Sequence, residues 1–208
     1  MATYFISDTH FGHGNILRFC CRPWLNDAEM PLAQAGKQFR VSEESVRKMD
    51  DAILDNINAV VGKNDTLYHL GDFAWRKHGE YRERINCQNV VLILGNHDNL
   101  RDVKYQFTEV HEELLVRVEH QQIRLKHYPL LAWEHSYKNV WHAFGHVHGR
   151  MGHDPDFKKV WERIKSIDVG VDGPWAREDG PMADHRWRPW SMAEVREFMT
   201  LKAGHAHI

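Results

Sequence analysis

Five short stretches of the chain set carboxylate and imidazole side chains close together. They are Asp8-Thr9-His10, Gly71-Asp72, Gly95-Asn96-His97-Asp98, the lone His127, and Gly145-His146-Val147-His148. Histidine titrates near neutrality and is the commonest protein metal ligand. The 16 histidines are not a terminal tag, because the chain ends Gly204-His205-Ala206-His207-Ile208, so attention falls on internal sites. Mixed carboxylate and imidazole donors suit first-row divalent ions such as Mn, Fe, Co or Zn better than they suit calcium or magnesium. In extended backbone, residues i and i+2 point the same way. Asp8 with His10, and His146 with His148, are therefore expected to converge on one ion or on two adjacent ones. Cysteine offers less. Cys20 and Cys21 are adjacent, Cys87 is distant and there is no CxxC, so neither a disulfide framework nor a Cys-rich zinc site is supported. No histidine stands at a useful spacing to make Cys20 or Cys21 a nucleophile.

Strands must position these clusters. Short runs of β-forming residues at 2–6, 66–70, 90–94, 122–126 and 140–144 each lead into one of the five blocks. The run at 90–94 is almost wholly aliphatic, as in a central strand covered on both faces. Residues 114–118 and 122–126 alternate and predict a hairpin around His120-Gln121. A helix is expected over 42–61. Glu43 and Glu44 suit its first turn, Val46, Met49, Ile53, Ile57 and Val60 recur at spacings of three and four, and Gly62 stands where a C-cap falls. Ser42 with Ser45 gives no full capping box. A closing helix is expected over 191–201, with Ser191 and Glu194 as capping box and Val195, Phe198 and Met199 as the apolar face. Residues 79–86 suggest a short helix and 16–40 a loop with a short helix. Residues 160–169 read as extended structure. Residues 170–189, with Trp175 and Trp187, read as an ordered surface loop whose tryptophans, with Trp190, pack. This order predicts a layered α/β domain, its ligands gathered at the C-terminal strand edge where such sheets carry their sites.

Composition narrows the function. Lys plus Arg is 27 and Asp plus Glu is 29, a formal charge of -2. That balance disfavours a generic polyanion binder and leaves a local basic patch open. Hydrophobic residues at 42% and charged residues at 27% are ordinary for a globular protein, and the length fits a single domain over 1–208. No apolar run approaches the ~20 residues of a membrane helix, no leader is evident, and cysteines are few. A cytoplasmic location is expected.

The five blocks, in this order, resemble the signature of the calcineurin-like metallophosphoesterases: Asp-x-His, Gly-Asp, Gly-Asn-His-Asp or Glu, a lone His, and Gly-His-x-His. They span residues 8–148. The opening Asp8-Thr9-His10-Phe11-Gly12-His13 looks most like a small bacterial and phage branch. The resemblance implies a four-layer α/β/β/α sandwich with two divalent metal ions per chain, Mn favoured and Fe, Zn, Ni or Co as alternatives. One ion would take Asp8, His10, Asp72 and His148. The other would take Asp72, Asn96, His127 and His146, with Asp72 bridging. A metal-bridged hydroxide would attack phosphorus. His97 would contact phosphate and protonate the leaving oxygen, oriented by Asp98. Asn96, His97, His13, Arg76 and Arg150 are the expected substrate contacts, with an ordinary loop role open for His13. After Gly71-Asp72 the chain reads Phe73-Ala74-Trp75-Arg76 where the larger protein phosphatases carry Asp-x-x-Arg-Gly, so that branch loses support.

The expected activity is metal-dependent hydrolysis of phosphoester bonds. Phosphodiesters or small nucleotide-like esters are favoured over monoesters, because no separate capping domain is evident and only residues 22–40 and 170–190 remain to shape a pocket. The expected partner is a small phosphoester, a nucleotide being one candidate, with no membrane and no long duplex nucleic acid. Alternatives are a nuclease or cyclic-nucleotide phosphodiesterase, a mononuclear hydrolase, and a catalytically silent metal-binding interaction module.

Overall fold

A computed structural model describes residues 1–153, 155–173 and 187–202. Trp175 and most of the segment 170–189 lie outside the described residues. In chain order the first half forms β1 (Thr3–Ile6), α1 (Gly14–Phe19), α2 (Met30–Gln34), α3 (Glu43–Val60), β2 (Thr66–His69), α4 (His78–Glu83), β3 (Asn89–Ile93) and α5 (Leu100–Val103). The second half forms β4 (Glu109–His111), β5 (Glu113–Val118), β6 (Gln121–Lys126), β7 (Trp141–Phe144), α6 (Pro155–Trp161), β8 (Ser166–Asp168), β9 (Trp190–Ser191) and α7 (Met192–Thr200).

The strands make two sheets, ordered β4-β3-β2-β1-β9 and β5-β6-β7-β8. All neighbours are parallel except β1 with β9 and β5 with β6. Strand alternation divides the interior in two. From β1, Ile6 enters a core with Leu67, Val90 and Leu92, covered by Met49, Ile53, Leu54 and Ile57 of α3. Phe5 faces the other way and joins Leu70 and Ile93 against Ile123, Leu125, Phe144 and Ile167 of the second sheet. Trp161 of α6 and Val195, Phe198 and Met199 of α7 belong to that second core. Helices therefore flank two parallel-rich sheets, the expected α/β/β/α order. Burial of each such Leu, Ile or Phe contributes about 1.5–3 kcal/mol.

The helix termini follow their residues. Ser42 is extended and its Oγ accepts the Ser45 N–H, starting α3. Val61 ends the helix in an extended conformation, and Gly62 gives its N–H to Asp65 Oδ2 at 2.9 Å. Gly62 is thus not the left-handed cap that its position suggests. Ser191 and Glu194 form the full capping box of α7. The β5–β6 hairpin turns at Glu119-His120, one residue earlier than expected, because both take left-handed φ, 46° and 71°, and bring Val118 opposite Gln121. Residues 160 and 161 are helical rather than extended. Pro155 opens α6 at the turn where a missing N–H costs nothing.

The sheets meet at their C-terminal edges. Ser7 N–H bonds to Val169 O at 3.1 Å and Val171 N–H to Ser7 O at 3.0 Å, so the segment after β8 pairs with the segment after β1. Residues 170–173 are accordingly buried, where a surface loop was expected.

Candidate metal centre

The loops after β1, β2, β3, β6 and β7 deliver the five blocks to this shared edge. Backbone bonds lock the first two loops together: Asp8 N–H to Gly71 O, His10 N–H to Asp72 O and Phe11 N–H to Phe73 O, each 3.0 Å. Two glycines permit the close approach. A Cβ on Gly95 would overlap Asp72, and one on Gly145 would overlap Ser7 and Asp8. Asp8, His10, Asp72, His146 and His148 all have φ between 50° and 71°. The i, i+2 pairs therefore converge through left-handed turns and not through extended backbone. Such φ values cost roughly 1–2 kcal/mol per residue outside glycine, so the packed loops must hold them.

The seven expected metal ligands come together in two linked groups. Asp8, His10 and His148 bring their donor atoms within 4.8 Å of one another, and so do Asp72, His127 and His146. Asp72 Oδ2 lies 3.5 Å from both His10 Nε2 and His127 Nε2, between the groups. Asn96 Oδ1 lies 3.1 Å from His127 Nε2 and 3.0 Å from His146 Nδ1. A divalent ion fits this donor set. His10 Nε2 is buried with no hydrogen-bond partner, and burial with the nearby Arg22 charge holds His10 neutral, well below its ordinary pKa. Burial alone would raise the Asp72 carboxyl, but His127 and His10 and the His97 N–H hold it below the usual carboxylate range. Burial would likewise lower His127, yet the hydrogen bond to Asp72 and the charges of Asp8 and Asp72 raise it to about 9. A proton there stands where a divalent ion would take its place.

Outer partners orient the rings. His127 Nδ1 donates to Leu70 O at 2.7 Å; a carbonyl only accepts, so Nε2 is left free to coordinate. His148 Nδ1 donates to Asp172 Oδ2 at 2.7 Å. Asp172 is gripped by the buried Arg22 through Nε at 3.0 Å and Nη2 at 2.9 Å. The same guanidinium donates to Asp8 O at 2.7 Å and Thr9 O at 2.9 Å. The sequence reading missed Arg22 and Asp172. Asp172 carried a signal, since Gly170-Val171-Asp172 follows β8 as Gly71-Asp72 follows β2. Arg22 carried none, because its partner lies 150 residues away. Cys20 also lies beside His148 and Asp172, so a histidine neighbour exists that sequence spacing hid.

The Asp98 carboxylate accepts backbone N–H groups from Asp72 at 2.7 Å, Gly95 at 2.9 Å and Phe73 at 3.0 Å. This corrects its expected hydrogen bond to the His97 ring: Asp98 ties the loops after β2 and β3 together. His97 is held by its own N–H to Asp72 Oδ1 at 2.9 Å, and its exposed ring stands 5.5 Å from His10 and 5.4 Å from Trp75. It lines a cleft of about 540 Å³ with His10, His13, His148 and Arg150. Arg150 donates to Phe19 O at 2.8 Å on the cleft wall. Arg76 is exposed and lies off this cleft, in an adjoining groove. His69 is a buried support. Thr9 gives its own hydroxyl hydrogen to Phe73 O, so His69 Nε2 donates to Thr9 Oγ1 and Nδ1 accepts from Gly71.

Two sheets presenting a carboxylate–imidazole cluster at a common edge define a metal-binding hydrolase centre. The chain belongs to the calcineurin-like phosphoesterase family, whose model matches residues 1–196, and is a metal-dependent phosphoesterase of that kind. An uncharacterized protein of Methanocaldococcus jannaschii is 29% identical over 173 residues, covering 81% of each chain. The crystal structure of a protein of unknown function from Aquifex aeolicus superposes with a TM-score of 0.62 at 25% identity, covering 95% of this chain and 98% of that one. A phosphoesterase of E. coli, Yfce, aligns with a TM-score of 0.35 at 19% identity, over 71% of this chain and 70% of that one. Among the described residues no helix is long and apolar enough to cross a membrane.

Proposed function

We propose that the chain hydrolyses phosphodiesters or small nucleotide-like phosphoesters in the cytoplasm, using two divalent ions that share Asp72, manganese being favoured. The observation that carries this reading is Asp72 Oδ2 at equal distance from His10 and His127, each at the mouth of its own donor group. A bound divalent pair supplies Lewis acidity toward phosphoryl oxygens and acidifies a water. His10 and His127 offer neutral nitrogen donors, and Asp8 and Asp72 offset the ions' charge. His97, on the open side of the cleft, hands a proton to the departing oxygen. His13 and Arg150 border the same cleft and face the ester's substituents. The presence of His97 with a complete donor set disfavours a silent binding module.

The test is turnover of bis-p-nitrophenyl phosphate beside p-nitrophenyl phosphate by protein stripped and reloaded with manganese, metal being counted per chain. Two ions per chain, faster diester cleavage, and loss of turnover in His97→Ala with metal retained are expected. Turnover of neither ester with both ions bound would sink the reading.

A further inference from the structure

A second groove, of about 660 Å³, runs away from the metal centre. It shares His13, Asn15 and Trp75 with the cleft over the centre, so the two spaces are continuous across one ledge. The ledge is aromatic. The rings of His13 and Trp75 stack with centroids 4.4 Å apart and planes 10° apart, and Trp75 remains 45% exposed. Trp75 N–H bonds to Phe11 O at 2.8 Å, extending the same backbone ladder that holds Asp8 and Asp72.

Beyond the ledge the groove carries Arg40, Arg47, Arg76, Lys77 and Arg84 against two carboxylates, Glu43 and Asp50. Asp50 is turned inward, accepting the Gly12 N–H at 3.0 Å and the Tyr81 hydroxyl at 2.7 Å. Glu43 lies 4.0 Å from Arg40 with both side chains at least 90% exposed, a pairing worth little in water. Lys77 and Arg84 already pair with Glu80 and Asp51. The Arg47 and Arg76 side chains have neither ion pair nor hydrogen bond among the described residues. In a chain of net charge -2, this is a local concentration of positive charge beside a site for phosphoesters.

We propose that the groove binds a second phosphate, joined through a nucleoside to the phosphoester being cleaved. The inference rests on the phosphoesterase reading and gives it a substrate class: short single-stranded nucleotides with a phosphate on each side of a sugar and base. The order of features matches that ligand. A phosphate meets the metal centre, a flat base meets the Trp75 ledge, and the next phosphate meets the arginines. Aromatic stacking between cationic walls is how single strands are held without sequence preference. A groove this small takes about one nucleotide, not a duplex.

The probes are the p-nitrophenyl ester of thymidine 5′-phosphate and the same ester bearing a 3′-phosphate, which share one scissile bond. The 3′-phosphate is expected to lower KM about tenfold at low salt, less so at high salt. Arg40→Ala/Arg47→Ala should abolish that gain, with kcat on the plain ester as the internal reference. Equal KM values for the two esters in the wild type, or a gain untouched in the double variant, would overturn the proposal. Calorimetry separates this from failure of the phosphoesterase reading. About tenfold tighter binding of thymidine 3′,5′-bisphosphate than of thymidine 5′-monophosphate, lost in the double variant, supports the groove even if neither ester is cleaved. No such preference overturns it even if both are cleaved. Thymidine 5′-triphosphate binding as tightly as the bisphosphate would also overturn it, because the phosphates would then need no nucleoside between them.

Discussion

The two halves of the metal centre are braced by different chemistry. Behind Asp8, His10 and His148 stands a buried ion pair: His148 leans on Asp172 and Asp172 on Arg22. Behind Asp72, Asn96, His127 and His146 stands a neutral group, the Leu70 carbonyl that accepts from His127. The two groups are equally deep, each with two buried donors and one half-buried, and of the seven donors Asn96 is the exposed one. A carboxylate makes its imidazole a stronger base as well as fixing its tautomer, whereas a carbonyl mainly fixes the tautomer. The half braced by Asp172 should therefore hold its ion tighter and release it more slowly. On the two-ion reading proposed above, the contrast predicts a resident ion beside an exchangeable one.

The hardest test removes what the halves share. Asp72→Asn keeps an acceptor for the His97 N–H but takes the common charge, so both ions should be lost and turnover should fall by more than about a hundredfold, beyond the usual effect of an outer partner. Metal per chain and nitrophenol release read this together. Next, Arg22→Met strands Asp172 as a buried charge and should destabilise the fold by about 3–5 kcal/mol, measured as a shift in urea midpoint; an equal midpoint would break the account of the half that Asp172 braces. Asp172→Asn should weaken the tighter binding event about 10–100-fold and leave the weaker one alone, as followed by two-site metal titration. Equal weakening of both would show that the halves do not differ in bracing.

The smallest effect isolates what Arg22 does for a buried carboxylate. Asp172, with its arginine, is held below the usual carboxylate range: burial opposes this, but the Arg22 charge and the His148 hydrogen bond prevail. Asp50 is buried with no cation bonded to it, and burial, with the Asp51 charge, raises it to about 6 despite its bonds to Tyr81 and Gly12 and the nearby Arg84 charge. Because its folded value lies above the ordinary 3.8, its contribution to stability is complete below about pH 4 and is lost as pH rises through about 6. Asp50→Asn should flatten the pH dependence of the urea midpoint across that window. An unchanged slope would refute the assignment.

Much of this was legible in the residues because the chemistry sits next to the strands that carry it. A run of β-formers ending in Asp or His is local information, so β1, β2, β3, β6 and β7 and the polar clusters at their ends could be read directly, while the choice of seven donors among them, with His97 left out, came from the family resemblance. What escaped is non-local. Asp98 points to backbone amides that exist only once two loops have packed. Arg22 is explained only by Asp172, across 150 positions. The left-handed conformations of Asp8, His10, His146 and His148 carry no sequence mark, since glycine, their usual signal, is absent there. The extended structure expected within 160–169 is β8, whereas helix α6 before it went unread because it is too short a run to show a period.

The seam between Ser7 and residues 169–171 has a consequence for the time at which the centre comes into being. Asp8 is translated 138 positions before His146, whose amide it accepts, and the seam lies later still. Contacts so far apart close slowly, and a nascent chain folds from its N-terminal side. Until His146 and His148 are made, Asp8 and His10 have Asp72 beside them but lack the remaining donor of their own group. The centre is completed only once that seam has formed, so a ribosome that stalls before residue 172 should leave a fragment without activity.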